Sequence, residues 1–406
     1  MTAHANANAP GVTLVDTPEA LARLVDRIAA APRIGLDTEF HTEKSYTPHL
    51  MVVQLLFDDG VALVDPLALS EANLRPLVDA LANARVVGHA LSSDLRILAD
   101  QFDELPREVF DTQAAAAFAG YGLSISLLDL VRDLCGVTLR KSQTVSDWST
   151  RPLTPKQVEY LVDDVRYLFD LEDRLRERLA QRGRETWAEQ EMRALADIRT
   201  YRTDPRRLYV RVAGNARMNR RELGILSELA ALRDRYARER NIPLKYVLPD
   251  DVMAGLVQLR PKSVDELSQL RRIDAGTRRN LGERIVEAVR RGEAIPESEL
   301  PPRAPKPLGP QREALVSMLA VLVSALAAEN DLPSTLLLPR AALERIAREA
   351  PQSPDALADV LGLTSWRRDL VVAPLWGMLS GASVLRVRDY ERGEPRTAIE
   401  PLPASG

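Results

Sequence analysis

The chain has 406 residues, 45% of them hydrophobic and 28% charged, with a formal net charge of −4 and one cysteine. At about 100–200 residues per domain it has room for two to four domains with real cores, and the lone Cys135 excludes an internal disulfide or a cysteine-rich zinc centre. No basic leader with an apolar run opens the chain, and no stretch of about 18 consecutive apolar residues follows, so the expectation is a cytoplasmic protein with no membrane span. Residues 1–200 carry 21 Lys+Arg against 31 Asp+Glu, residues 201–300 carry 21 against 15, and residues 301–406 carry 12 of each. An acidic portion joined to a basic one suits an enzyme that needs carboxylates at its site and gathers a polyanion elsewhere. Arginine on solvated helix faces gives the same count.

Residues 1–11 are small and polar and read as a disordered tail. A strand is expected at Val12 to Val15, then a helix from Thr17-Pro18 with an apolar stripe at Leu21, Leu24, Val25 and Ile28. Strands at Ile34 to Phe40, Met51 to Phe57 and Val61 to Val64, the last two separated by Asp58-Asp59-Gly60, predict an antiparallel meander. Helices near 71–83, 91–103 and 112–119 then alternate with strands at Arg85 to Gly88 and Val109-Phe110. The pattern predicts an α/β domain with a mixed sheet over residues 12–200, closed by a helical segment over 156–199 with a break near Gly183.

Three acidic signals sit where such a sheet collects a site. Asp37 and Glu39 at i and i+2 project from one face of a strand end; two carboxylates that close call for a divalent cation, although two solvated acids fit the same spacing. Asp94 opens the helix after the strand ending at Gly88, a position the helix dipole favours for any acid. Tyr160 and Asp164, at i and i+4 on the helix opened by Thr154-Pro155, share a face while Asp163 points elsewhere; a half-buried tyrosine beside a surface acid is the competing reading.

Asp37-Thr38-Glu39, His89 to Asp94 and Tyr160 to Val165, in this order, resemble the three exonuclease motifs of the tyrosine-containing branch of the DEDD superfamily. The connecting segments Phe110-Asp111-Thr112-Gln113, Lys141-Ser142-Gln143, Ser146-Asp147-Trp148 and Arg151-Pro152-Leu153 resemble the ribonuclease D family. The resemblance implies a ribonuclease H-like fold and hydrolysis of phosphodiesters from RNA 3' ends with two divalent ions, Mg²⁺ or Mn²⁺, about 4 Å apart. Asp37 would bridge them, Glu39 and Asp164 would complete the site of the attacking water, and Asp94 would help hold the second ion. Tyr160 would aim the water. Many DEDD exonucleases carry Asn before the second-motif Asp, whereas here His89 precedes Asp94; its role is left open, with substrate binding the candidate. Phe40, His41 and Tyr46 are candidates to stack on the terminal base, with core or lid roles as alternatives.

Beyond Pro205 the pattern is helical only. Residues 212–293 resemble the HRDC domain, a nucleic-acid-binding module, and Arg271, Arg272, Arg278 and Arg279 around Asp274-Ala275-Gly276 are candidate phosphate contacts; a solvated loop is the alternative. A shift of 90 residues aligns Pro243 with Pro333, Leu248 with Leu338, Pro249 with Pro339, Pro261 with Pro351 and Asp265 with Asp355, so residues 311–384 form a second HRDC-like domain. A Pro-rich linker, 294–310, joins the two, and a C-terminal tail, 385–406, loosely ordered from Arg392, ends the chain.

The expectation is a 3'-5' exoribonuclease acting on RNA with a free 3' end, such as transfer RNA precursors, with no obligate protein partner evident. A 3'-5' DNA exonuclease uses the same motifs, and an inactive RNA-binding scaffold on the same fold is the reading of another class.

Overall fold

The continuous apolar runs before residue 120 pair into one six-stranded sheet. In the computed structural model, which describes residues 11–42, 45–69, 71–139, 147–212, 217–303, 305–363, 365–389, 391 and 396–402, β1 (Val12–Val15), β2 (Ile34–His41), β3 (His49–Phe57), β4 (Gly60–Val64), β5 (Arg85–Gly88) and β6 (Glu108–Asp111) stand in the order β1-β4-β3-β2-β5-β6. β2, β3 and β4 form the expected antiparallel meander; β1 joins β4, and β5 joins β2 and β6, in parallel. The expected tail lies outside the described residues except for Gly11.

Among the described residues eight helices flank the sheet: α1 (Pro18–Ala30), α2 (Glu71–Ala82), α3 (Ser92–Phe102), α4 (Thr112–Phe118), α5 (Leu127–Cys135), α6 (Pro155–Arg166), α7 (Leu168–Gln181) and α8 (Glu185–Leu195). The segment expected to break once near Gly183 breaks twice, because the chain also turns at Tyr167 between α6 and α7. The first break frees α6 to lie over β2, β3 and β4 while α7 packs elsewhere. A buried charge network fixes α7: Glu172, fully shielded from solvent, accepts from Arg33 (3.0 Å), Arg85 and Arg176 (2.9 Å). Arg33 precedes β2 and Arg85 opens β5, so the network ties α7 to the two strands that lead into the site.

The first helical domain comprises α9 (Arg220–Arg240), α10 (Leu244–Val247), α11 (Asp250–Leu259) and α12 (Ala275–Ala294); the second comprises α13 (Pro310–Glu329), α14 (Ser334–Leu337), α15 (Arg340–Glu349), α16 (Pro354–Leu361) and α17 (Ser365–Leu379). The 90-residue shift carries α10 onto α14 and α11 onto α15, and both latter helices end on a left-handed residue, Arg260 (φ 49°) and Ala350 (φ 47°). α13 is the one helix among the described residues long and apolar enough to cross a membrane. Here its Val316, Leu319, Leu322, Val323 and Leu326 are buried in a core continuous with that of the sheet domain.

The C-terminal segment departs from the expected loose tail. β7 (Ser383–Arg388) and β8 (Arg396–Pro401) pair as an antiparallel hairpin, with Arg386 and Arg388 both reaching Glu400. The alternation Val384-Leu385-Arg386-Val387-Arg388 is a strand pattern that the prolines obscured; residues 392–395 and 403–406 lie outside the described residues.

Candidate active site

β2 runs apolar through Ile34 and Leu36 and then delivers Asp37 and Glu39 on one face. Between Glu39 and Phe40 the ladder slips: Glu39 pairs with Val52 and Phe40 with Leu50, so Met51 is an extra residue on β3. Such a bulge re-aims the side chains beside it, and the Met51 carbonyl it frees accepts from Arg151 Nη2 (2.8 Å). Arg151 also grips Asp65 with two bonds (2.6 and 2.9 Å) and the Trp148 carbonyl (2.7 Å), pinning the 147–153 segment to the sheet. Trp148 is thereby held against Tyr160, ring centroids 5.6 Å apart.

α6 starts in a reciprocal capping box, Thr154 Oγ1 accepting from Gln157 N–H (3.3 Å) and Gln157 Oε1 from Thr154 N–H (2.9 Å). That start sets the helix phase, so Tyr160 and Asp164 face β2. Carboxylate oxygens of Asp37, Glu39 and Asp164 all lie within 4.8 Å of one another. Asp94 enters from the first turn of α3, buried, with its Oδ1 accepting from Thr38 Oγ1. The turn before α3 is fixed by Asp111, which accepts from Ala90 N–H (3.1 Å) and Leu91 N–H (2.9 Å) as well as from its own helix start. Gly88 is required there, because a Cβ would meet the Leu36 carbonyl oxygen at 2.8 Å.

Burial, reinforced by neighbouring carboxylates, pushes Asp37 well above the usual range and Glu39 up to about 7. Burial lifts Asp164 to about 7 against the Tyr160 hydroxyl's hydrogen bond, and Asp94 to about 6 against the Thr38 hydroxyl. No lysine or arginine pairs with any of the four acids among the described residues. An all-oxygen donor set whose mutual repulsion no protein cation offsets fits hard divalent ions.

The other expected site residues are distributed differently. Both ring nitrogens of His89 are engaged: Nε2 donates to the Ile125 carbonyl (3.1 Å), which leaves Nδ1 to accept from Thr112 Oγ1 (2.9 Å), and burial lowers its pKa. Phe40 packs on the core, and His41 lies near Asp147, whose carboxyl is held below its usual range first by hydrogen bonds from Ser149. Tyr46 turns to the first helical domain: its hydroxyl donates to Asp234 (2.6 Å), Arg238 lies 4.8 Å over its ring, and Asn241 Oδ1 accepts from the Tyr46 and Thr47 N–H groups (3.1 and 3.0 Å). One face of its ring and its hydroxyl are thus engaged by the first helical domain. Of the arginine cluster, Arg272 pairs with Asp251 (2.7 Å) and Arg278 bonds the Ile273 carbonyl (2.8 Å), while Arg271 and Arg279 are exposed. The segment Lys141-Ser142-Gln143 and Ser146 lie outside the described residues. Thr38, Asp111 and Arg151 lie inside segments that carry the resemblance but had been given no role, and Asp65, the other half of the Arg151 clamp, had no local signal at all.

Four acids and a tyrosine gathered at the end of a mixed sheet define a metal-dependent exonuclease of the DEDD type. Residues 12–180 match the 3'-5' exonuclease family model, and residues 222–289 and 312–378 each match the HRDC domain. Ribonuclease D of Granulibacter bethesdensis is 36% identical over 366 residues, covering 89% of this chain and 91% of that protein, and ribonuclease D of Acidiphilium cryptum is 38% identical over 371 residues. The crystal structure of Escherichia coli RNase D, described as an exoribonuclease involved in structured RNA processing, superimposes with a TM-score of 0.77 at 28% identity, covering 91% of this chain and 99% of that one. The chain belongs to the ribonuclease D family and is a 3'-5' exoribonuclease that works with divalent metal ions.

Proposed function

We propose that this enzyme trims the 3' ends of structured RNAs of the transfer RNA precursor class in the cytoplasm, using two Mg²⁺ or Mn²⁺ ions held by Asp37, Glu39, Asp94 and Asp164. The observation that carries the reading is the convergence of Asp37, Glu39 and Asp164 within 4.8 Å beside Tyr160. When bound, such ions lower the pKa of a water and stabilise charge on the attacking and leaving oxygens. Tyr160 is kept protonated by burial and by the acids around it, which raise its pKa, so its hydroxyl orients the water and does not deprotonate it. Trp148 and Arg151 hold that tyrosine in place.

Beside the exposed Arg271 and Arg279, a second basic face is a candidate for substrate grip. A cavity of about 310 Å³ lies between the Tyr46 loop and the first helical domain, lined by Arg211, Arg233, Arg235 and Arg238 with Asp234 as its acid. Arg233 is spent on Asp250 and Arg238 on Asp234, but Arg211 and Arg235 are exposed and make no ion pair or side-chain hydrogen bond among the described residues. Two unpaired arginines on a cleft reached by the loop that leaves Glu39 suit RNA phosphates entering the site.

The test is a transfer RNA transcript with a short 3' trailer, beside DNA of the same sequence. Stepwise removal of the trailer with arrest at the folded acceptor end, and little loss of DNA, is expected; equal degradation of both polymers would replace the assignment with a general exonuclease. In the Arg211→Ala/Arg235→Ala variant, KM for RNA rises, and the slope of log KM against log salt falls by about 1.4, at about 0.7 per phosphate contact on a single strand.

A further inference from the structure

We propose that Gln54 is a positioning residue for the metal-binding carboxylate of Asp37. The two residues are direct cross-strand partners in the β2–β3 ladder, and partners in an antiparallel pair point to the same face with Cβ atoms about 4.5–5.5 Å apart. That face is the one covered by α6, which brings Tyr160 and Asp164 to the site. Gln54 is 0% exposed, and neither Nε2 nor Oε1 has a hydrogen-bond partner among the described residues.

A buried amide with both ends unbonded is costly, and the rest of the strand shows what the fold alone asks of this place. Val52 and Leu56 flank Gln54 along the same face, and Leu63 is its partner on β4. A leucine would fill the position without a desolvated amide. The polar side chain therefore answers to Asp37: its amide makes no bond in this structure, and an amide N–H is the donor that the carboxylate, once ionised on binding its cation, needs on the oxygen or lone pair left free. Carboxylates and imidazoles that hold metals are ordinarily oriented by such partners, whose loss weakens metal binding about 10–100-fold. Gln54 carries no charge, so it orients Asp37 without competing with the ion for it.

The proposal rests on Asp37 being a metal ligand, and the test separates the two. Mn²⁺ is titrated calorimetrically into wild type, Gln54→Leu, Gln54→Met and Asp37→Asn, and each metal-free protein is melted. Gln54→Leu and Gln54→Met are expected to melt at or above the wild-type temperature, since an unbonded amide is removed, while their Mn²⁺ dissociation constants rise at least about tenfold. An unchanged dissociation constant in both Gln54 variants, with binding abolished in Asp37→Asn, overturns the role of Gln54 alone. Unchanged binding in Asp37→Asn overturns the ligand assignment beneath it.

Discussion

The two helical domains are copies of one plan, yet they are attached to the catalytic domain by opposite means. The second is welded on: Trp366 at the start of α17 stacks on Trp187 of α8 (4.9 Å, 14°) and takes the edge of Phe118 of α4 (5.4 Å, 81°), and its core is continuous with that of the sheet domain. Around the stack, Arg184 bonds the Phe118 carbonyl (3.0 Å) and the Asp331 carbonyl (3.3 Å), and Arg367 pairs with Glu191 (2.5 Å). The first domain keeps a separate core, built on Leu226, Leu229, Leu256 and Ile285, and meets the catalytic domain through the polar set at Tyr46. Repetition thus produced one domain that shares the core of the enzyme's body and one that keeps a core of its own. The excess of positive charge over residues 201–300 sits on the second kind.

The difference is open to attack first at the weld. Trp366→Ala removes a ring packed on two others and is expected to cost about 3–5 kcal/mol, lowering the melting of the catalytic and second helical domains together while hydrogen exchange in α9 and α12 stays as it was. Separate melting of the second domain would show that the cores are not one. A smaller and reversible handle is pH. The folded, metal-free chain holds Glu39 and Asp164 at about 7 and Asp94 at about 6, whereas the unfolded carboxyls titrate near about 4. Between these values the folded state binds the extra protons, so metal-free stability is greatest below about pH 4 on this account and falls as pH rises through about 6–7. Mn²⁺ should reverse the fall, with a melting gain larger at pH 8 than at pH 6, confined to the catalytic unit. A gain that is flat with pH would separate the acids from the metal.

The smallest effect is expected at the latch. Tyr46→Phe removes one hydroxyl bond to Asp234 and should cost about 0.5–1.5 kcal/mol, read as faster exchange at the end of α9 with kcat on a dinucleotide unchanged. A loss as large as that of Trp366→Ala would make the two attachments equivalent.

What could be read from the chain before its structure follows from how far each signal reaches. Asp37 and Glu39 on one strand face, and Tyr160 with Asp164 on one helix face, are matters of local period, and the 90-residue repeat of turn prolines is a matter of spacing. Tyr46 looked like a base-stacking residue because it follows Glu39 by seven positions, but its partners Asp234, Arg238 and Asn241 lie nearly 200 residues away, and nothing local announces them. The same holds for Gln54, which was one letter in an apolar strand until the register set it opposite Asp37. The two bonds of His89, to Thr112 and to the Ile125 carbonyl, likewise join segments that no local pattern brings together. The C-terminal hairpin had its alternation in plain view, and the prolines around it drew the eye away.

The central claim is that the clustered acids are the machinery of a metal-dependent 3' exoribonuclease. It is tested most directly with one single-stranded RNA labelled at its 3' end and again at its 5' end, incubated with wild type or Asp37→Asn, in Mn²⁺ or in EDTA. Immediate release of labelled mononucleotide from the 3' label and a descending ladder from the 5' label are expected in wild type with Mn²⁺, and intact RNA in the other lanes. Degradation that survives EDTA, or that Asp37→Asn performs at the wild-type rate, would contradict the account.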